Sequence, residues 1–96
     1  MRILYRELAL ADLQLIARYL GERSPEGARN VMRAIHAAIQ EAADQPRAAR
    51  TTSDAAVRVK IVRRYRYKIF YSIGDNEIEI LHVRHGSRRP WAPEVQ

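Results

Sequence analysis

The feature that most constrains the fold is a change in hydrophobic periodicity near the middle of the 96-residue chain. Between residues 9 and 42 the apolar residues recur every three or four positions, which is the spacing of a helix with one buried face. From residue 57 onward they recur every second position, which is the spacing of a strand. Helices and strands segregated in this way predict an α+β fold in a single domain, residues 1–96.

Two amphipathic helices are predicted in the first half. The apolar stripe from Ala9 to Leu20 indicates a helix over 8–20, which we expect Gly21 to end in a left-handed cap. Ser24 followed by Pro25 has the chemistry of a helix N-cap and first turn, and it opens a second predicted helix over 25–44. Because the link is so short, the two helices should form an antiparallel hairpin.

The predicted strands are a short one at 2–6 and a three-stranded antiparallel meander at 57–63, 67–73 and 77–84. Residues 45–55 indicate a loop and residues 85–96 an irregular tail. The helical hairpin should cover one face of the sheet, with Tyr67, Ile69 and Tyr71 sharing one side and packing in the core. We expect the opposite face to carry Arg58, Lys60 and Lys68.

The net charge of +6 comes entirely from the second half of the chain. Residues 58–89 contain nine basic and three acidic residues, whereas the rest of the chain has eight of each. Fifteen of the seventeen basic residues are arginine, whose planar guanidinium makes bidentate contacts with carboxylates and phosphates. This bias favours an acidic or polyanionic partner, although a solvated basic face would have the same composition.

Several chemistries are excluded or disfavoured. The absence of cysteine excludes disulfides and thiolate metal sites, and the spacing of His36, His82 and His85 does not suit a metal, so we predict no metal and no cofactor. There is no serine-nucleophile motif and no phosphate-binding glycine loop. No uncharged run is long enough for a signal peptide or a membrane span, so we expect no membrane partner and a cytoplasmic location.

A metal-free ribonuclease remains open from the residues alone. Such an enzyme needs cations to stabilise the developing charge and one group that transfers a proton. Arg63, Arg84 and Arg88 would supply the positive charge, and His85 or Tyr65 would move the proton. His82 alternates with Ile78 and Ile80, so we expect it to be a hydrogen-bonded interior or semi-buried residue.

The second half also carries the motifs of a known family. They are Arg58 opening a strand, the Tyr-x-Ile-x-Tyr pattern of Tyr67 to Tyr71, and the closing run ILHVRHGSR from Ile80 to Arg88. The upstream helix with the pattern Ala-x-x-Asp-Leu-x-x-Ile, from Ala9 to Ile16, and the spacing of Pro46 and Arg50 fit the same family. Together they resemble the ParE branch of the RelE/ParE toxins of bacterial type II toxin–antitoxin systems.

This resemblance implies a helical hairpin on an antiparallel sheet, a cognate antitoxin as partner, and operator DNA contacted only through that antitoxin. ParE-like members are associated with inhibition of DNA gyrase, whereas RelE-like relatives cut mRNA on the ribosome. No tyrosine follows Tyr71 and Gly86 follows His85, which favours the ParE branch and a protein that is not itself an enzyme. The alternatives are a ribosome-dependent mRNA endonuclease using Arg63, Arg84 and His85, and a basic nucleic-acid-binding module.

We expect the partner to contact the basic residues of the second half together with one aromatic residue of the tail. This predicted set is Arg58, Lys60, Arg64, Lys68, Arg84, His85, Arg88, Arg89 and Trp91.

Overall fold

The computed structural model describes residues 1–86. It contains two helices and five strands. They are β1 (Arg2–Tyr5), α1 (Glu7–Arg23), α2 (Pro25–Asp44), β2 (Arg50–Thr51), β3 (Arg58–Val62), β4 (Tyr67–Gly74) and β5 (Glu77–His85). The predicted α+β architecture is confirmed.

The strands form one sheet in the order β1-β5-β4-β3-β2. The predicted antiparallel meander of β3, β4 and β5 is confirmed, and Asn76 adopts a positive φ in the hairpin turn between β4 and β5. β1 adds in parallel to the first half of β5, so β5 lies between two strands there. None of the helices within residues 1–86 is long and apolar enough to cross a membrane.

The junction between the helices differs from the prediction. α1 continues through Gly21 to Arg23, and no described glycine has a positive φ, so the expected cap at Gly21 is wrong. Glycine costs only about 1 kcal/mol inside a helix, whereas a proline forces the residue before it into an extended conformation. Ser24, extended before Pro25, therefore ends α1, and its Oγ accepts a hydrogen bond from the Gly27 N–H at 3.0 Å to begin α2.

The strand bounds also shift. The predicted loop at 45–55 contains β2, which is too short to show a period and is held by pairing with β3. β1 ends one residue early, β3 spans Arg58–Val62 rather than 57–63, β4 extends to Gly74, and β5 extends to His85, so His85 does not belong to the tail. The rest of the predicted tail beyond Gly86 lies outside the described residues.

The main core lies between the helical hairpin and the sheet. Its largest fully buried side chains come from α2, β4 and β5, and they are Ile35, Ile39, Ile69, Tyr71, Ile78 and Ile80. Each such side chain contributes about 1.5–3 kcal/mol by leaving water. Core packing of Tyr67, Ile69 and Tyr71 is thereby confirmed.

Tyr71 also fastens the loop after α2. Its hydroxyl donates a 2.6 Å hydrogen bond to the Pro46 carbonyl. Burial raises the pKa of the Tyr71 phenol above its ordinary value of 10.0, an effect that the Arg58 guanidinium partly opposes. The phenol therefore remains a protonated donor at neutral pH.

The prediction for the faces of β3 is wrong. Val57 and Val59 pack with Phe70 and Leu81 in a second apolar cluster, separate from the main core, whereas Val62 joins the main core under the helices. Because side chains alternate along a strand, Arg58 and Lys60 lie on the same side as Val62, facing the helices. Lys68 alternates with the core residues Tyr67 and Ile69, so it projects from the opposite, outer face as predicted.

The turn between β3 and β4 makes a close backbone contact with the residue that follows β5. Arg66 adopts a left-handed conformation with φ of 61° in this turn, and its carbonyl accepts a hydrogen bond from the Gly86 N–H. A Cβ at position 86 would lie 2.9 Å from the Arg66 carbonyl oxygen. The turn and the end of β5 can pack this closely because residue 86 has no side chain.

We predict that Gly86→Ala lowers the free energy of unfolding by about 1–3 kcal/mol, because the backbone of the turn must move to admit the methyl group. Gly21→Ala is the matched control, since a Cβ there meets nothing within 4 Å inside a helix. It should stabilise the protein by about 0.5–1 kcal/mol. Urea denaturation of both variants checks the pair, and equal stabilities would contradict the close contact.

Candidate partner-binding surface

Two of the predicted binding residues are engaged inside the protein. The Arg58 guanidinium donates to the carbonyls of Arg47 and Ala49, at 3.2 and 2.6 Å, and so holds the segment that leads into β2. Lys60 forms a 2.9 Å ion pair with Glu41 of α2, and its side chain is only 28% exposed. Arg58 therefore has a structural role, and the charge of Lys60 is already paired with that of Glu41.

Five further basic residues of the second half of the chain lie together at one end of the sheet. Arg63, Arg64 and Arg66 lie exposed in the turn between β3 and β4. Next to this turn, Lys68 and Arg84 stand directly opposite each other on β4 and β5. We call these five residues the cationic end. Within residues 1–86 none of the five forms an ion pair.

The acids of the sheet lie at its other end. Glu77 and Glu79 occupy the start of β5, where Arg2 and Arg6 of the N-terminal segment bind them at 2.8 and 3.0 Å. Two basic residues directly opposite each other repel unless a counter-charge lies nearby. The cationic end thus retains a positive potential that an anionic group from outside would satisfy.

An apolar groove of about 730 Å³ adjoins this end, between α1 and the second half of β5. Its walls include Leu15 and Tyr19, whose exposures are 57% and 56%, together with Arg84 and His85. The exposed Leu8 lies on the same side of α1, seven residues before Leu15. α1 therefore has a second apolar stripe that faces away from the core.

Asp12 belongs to the family motif from Ala9 to Ile16, but the sequence analysis did not name it as a site residue. Its Oδ2 accepts a 2.8 Å hydrogen bond from the Val83 N–H and also forms a hydrogen bond with His82 Nδ1. The carboxylate thus holds α1 against β5 beyond the point where β1 ends. The expectation that His82 is a hydrogen-bonded, interior or semi-buried residue is confirmed.

The three residues suggested for a nuclease do not line one groove, although Arg63 and Arg84 both belong to the cationic end. Arg84 and His85 line the α1–β5 groove, where the His85 ring packs edge-on against Tyr67 with centroids 5.1 Å apart. Arg63 lines grooves on the β3 side instead. Arg88, Arg89 and Trp91 lie outside the described residues, and within residues 1–86 no cluster of three or more histidine and acidic residues could hold a metal ion.

The sequence model of one protein family matches residues 3–90, which is nearly the whole chain. It describes the ParE toxin of the type II toxin–antitoxin system parDE. The chain belongs to this family. The ParE branch, which the resemblance in the second half of the chain implied, is therefore confirmed.

A solved structure is consistent with this assignment. The chain is similar to one from the chromosomal ParDE toxin–antitoxin system of P. aeruginosa, with a TM-score of 0.77 and 22% sequence identity. The match covers 88% of this chain and 95% of the other, so this ParE-family chain has the same fold over most of its length. No curated protein sequence matches it significantly.

The Asp12 contacts generate a stability prediction. Asp12→Ala removes the acceptor of the Val83 N–H and the partner of His82, so the free energy of unfolding should fall by about 1–3 kcal/mol. Glu22→Ala, an exposed acid on the same helix, should change it by less than about 0.5 kcal/mol. Chemical denaturation of both variants tests this, and equal effects would show that Asp12 does not join α1 to β5.

Proposed function

We propose that this protein inhibits DNA gyrase by binding it, and that a cognate antitoxin neutralises it by covering the cationic end. Membership of the ParE toxin family supplies the context, and the observation that carries the proposal is the group of five cations without a described counter-ion. Because gyrase acts on the bacterial chromosome, this function would be performed in the cytoplasm.

The apolar stripe on α1 favours a protein partner over bare nucleic acid. Leu8 and Leu15 offer no group for phosphates, and together with the ring of Tyr19 they suit the apolar face of a polypeptide. Arginine is among the residues enriched at protein interfaces, where its fork bonds carboxylates. A surface that combines both features fits an antitoxin segment with acidic and apolar residues.

The placement of Arg63 in a different groove from Arg84 and His85 favours binding over RNA cleavage. General acid–base catalysis requires the proton-transferring group and the stabilising cations to converge on one reacting phosphate. Here Arg84 and His85 line the α1–β5 groove, whereas Arg63 lines grooves on the β3 side, and the His85 ring packs against Tyr67. The proposed toxin therefore acts as a ligand of its target.

A supercoiling assay tests the target. Purified gyrase, relaxed plasmid and ATP are incubated with increasing amounts of the protein, and we expect supercoiling to fall as the protein is added. Adding the polypeptide encoded beside this gene should restore it. Unchanged supercoiling at a large molar excess of the protein would contradict the gyrase proposal, whereas codon-phased cuts in translated mRNA would indicate the endonuclease.

Charge reversal tests the surface. The double variant Lys68→Glu/Arg84→Glu should weaken antitoxin binding by about 2–5 kcal/mol, because carboxylates of the partner would then face like charges. The matched control Arg18→Glu/Arg29→Glu reverses two exposed charges on the helices and should bind nearly as well as wild type. Isothermal titration calorimetry measures both, and equal losses would place the interface elsewhere.

A further inference from the structure

A small cleft lies within the cationic end, where the turn between β3 and β4 meets the end of β5. Its volume is about 330 Å³. The described residues that line it are Ile61, Arg63, Arg66, Tyr67, Lys68 and Gly86. Three of these residues are basic and none is acidic, whereas the groove between α2 and β3 includes Glu41 and Asp44. We call this space the turn cleft, and it concentrates positive charge in a concave site.

The backbone around the turn cleft is held in place. The Arg66 carbonyl accepts a hydrogen bond from the Gly86 N–H, which ties the turn to the end of β5. Lys68 of β4 pairs with Ile61 of β3 on one side and with Arg84 of β5 on the other. Because residues directly opposite each other project from the same face, these three form a row across the sheet. A ligand of the turn cleft would therefore meet a backbone that is already ordered, which reduces the cost of binding.

The density of charge in this row favours a polyanion. Lys68 and Arg84 stand opposite each other, and Arg63 and Arg66 face the same cleft as Lys68. Duplex DNA carries one negative charge per about 1.7 Å of its axis, and every nucleotide contributes one. An extended polypeptide presents a side chain to one face only at every second position, so acidic residues there leave gaps. Arginine forks also match the paired oxygens of a phosphate.

The apolar part of the turn cleft favours DNA over RNA. Ile61 is 38% exposed and lies beside Lys68 in the row. A sugar that follows a phosphate bound by Lys68 would pack against the Ile61 side chain. Ribose carries a 2′-hydroxyl that needs a hydrogen-bond partner, and deoxyribose does not. An isoleucine offers no such partner, so the ribose would lose a hydrogen bond to water.

We propose that the turn cleft binds the sugar–phosphate backbone of duplex DNA. Arg63, Arg66 and Lys68 would contact phosphate oxygens, and Ile61 would pack against a sugar. The site itself is independent of the target, whereas its use on the DNA that gyrase holds rests on the proposed function. There the apolar stripe on α1 would meet protein and the cationic end would meet phosphates. An antitoxin that covers the cationic end would then displace the DNA.

The salt dependence of DNA affinity tests the site without gyrase or antitoxin. Fluorescence anisotropy of a labelled duplex gives the Kd of the wild-type protein at several NaCl concentrations. Each phosphate contact contributes about 0.9 to the slope of log Kd against log[NaCl]. We expect Arg63→Ala/Lys68→Ala to reduce this slope by about 2, because two contacts are lost. Its Kd should rise by about 10-fold or more.

Arg18→Ala/Arg29→Ala is the matched control. It removes two exposed cations from the helices and so has the same net charge as the cleft variant. Its slope should stay close to that of the wild-type protein. Equal reductions in the two variants would show that net charge alone attracts DNA, and they would overturn the turn-cleft site. A wild-type protein that does not bind the duplex would overturn it as well.

NMR titration locates the ligand and identifies its source. Adding the duplex to ¹⁵N-labelled protein should shift the amide signals of Arg63, Lys68 and Gly86 before those of the helices. Parallel titrations use an RNA duplex of the same sequence and inorganic phosphate, and both should bind more weakly than DNA. Shifts confined to the helices, or RNA binding as tight as DNA binding, would contradict the proposal. Inorganic phosphate that binds as tightly as the duplex would replace it with a site for a free anion.

The outcomes separate this site from the proposed function. DNA bound at the turn cleft together with unchanged supercoiling would contradict the gyrase proposal and leave the site standing. Reduced supercoiling without DNA binding at the turn cleft would overturn the site and leave gyrase inhibition standing. The polypeptide encoded beside this gene should release the labelled duplex, and a complex that keeps the duplex bound would contradict displacement by the antitoxin.

Discussion

The position of β5 is the constraint on which the rest of the structure depends. β5 is hydrogen-bonded to β4 along its length and to β1 over its first half, and Asp12 holds its second half against α1 through Val83 and His82. In this arrangement Glu77 and Glu79 at the start of β5 form ion pairs with Arg2 and Arg6 of the N-terminal segment. The same arrangement leaves Arg84 beside Lys68 at the far end, where no described acid reaches. The charge asymmetry of the surface is therefore a consequence of the topology.

Much of the fold could be predicted from hydrophobic periods, because each long element buries a stripe of its own. The side of β3 that faces the helices could not, since Val57, Val59, Ile61 and Val62 place apolar residues on both faces. A period of two shows that a strand has two faces but does not show which one meets the helices. β2 has only two residues, too few to show a period, and the parallel pairing of β1 depends on a partner distant in sequence, so local patterns carried no signal for either.

The wrong assignment of the β3 faces also explains why Arg58 and Lys60 were expected on the binding surface. Composition correctly indicated an arginine-rich second half, but it could not distinguish an arginine that bonds the chain's own carbonyls, as Arg58 does, from one left without a counter-ion. The surface that remains is smaller than the sequence suggested and more sharply defined. It joins the cationic end to two grooves, one between α1 and β5 and one between α2 and β3. A partner that fills either groove also meets at least one arginine that forms no ion pair within residues 1–86.

The salt dependence of complex formation tests the central claim, that the cationic end, whose five residues form no ion pair within residues 1–86, attracts an acidic partner. Stopped-flow measurement of the association rate constant with the neighbouring gene's product, from about 0.01 to 1 M NaCl, covers screening lengths from about 30 to 3 Å. The account predicts a fall of at least about 10-fold across this range, with a much smaller change in the dissociation rate constant. An association rate constant that does not change with salt would contradict it.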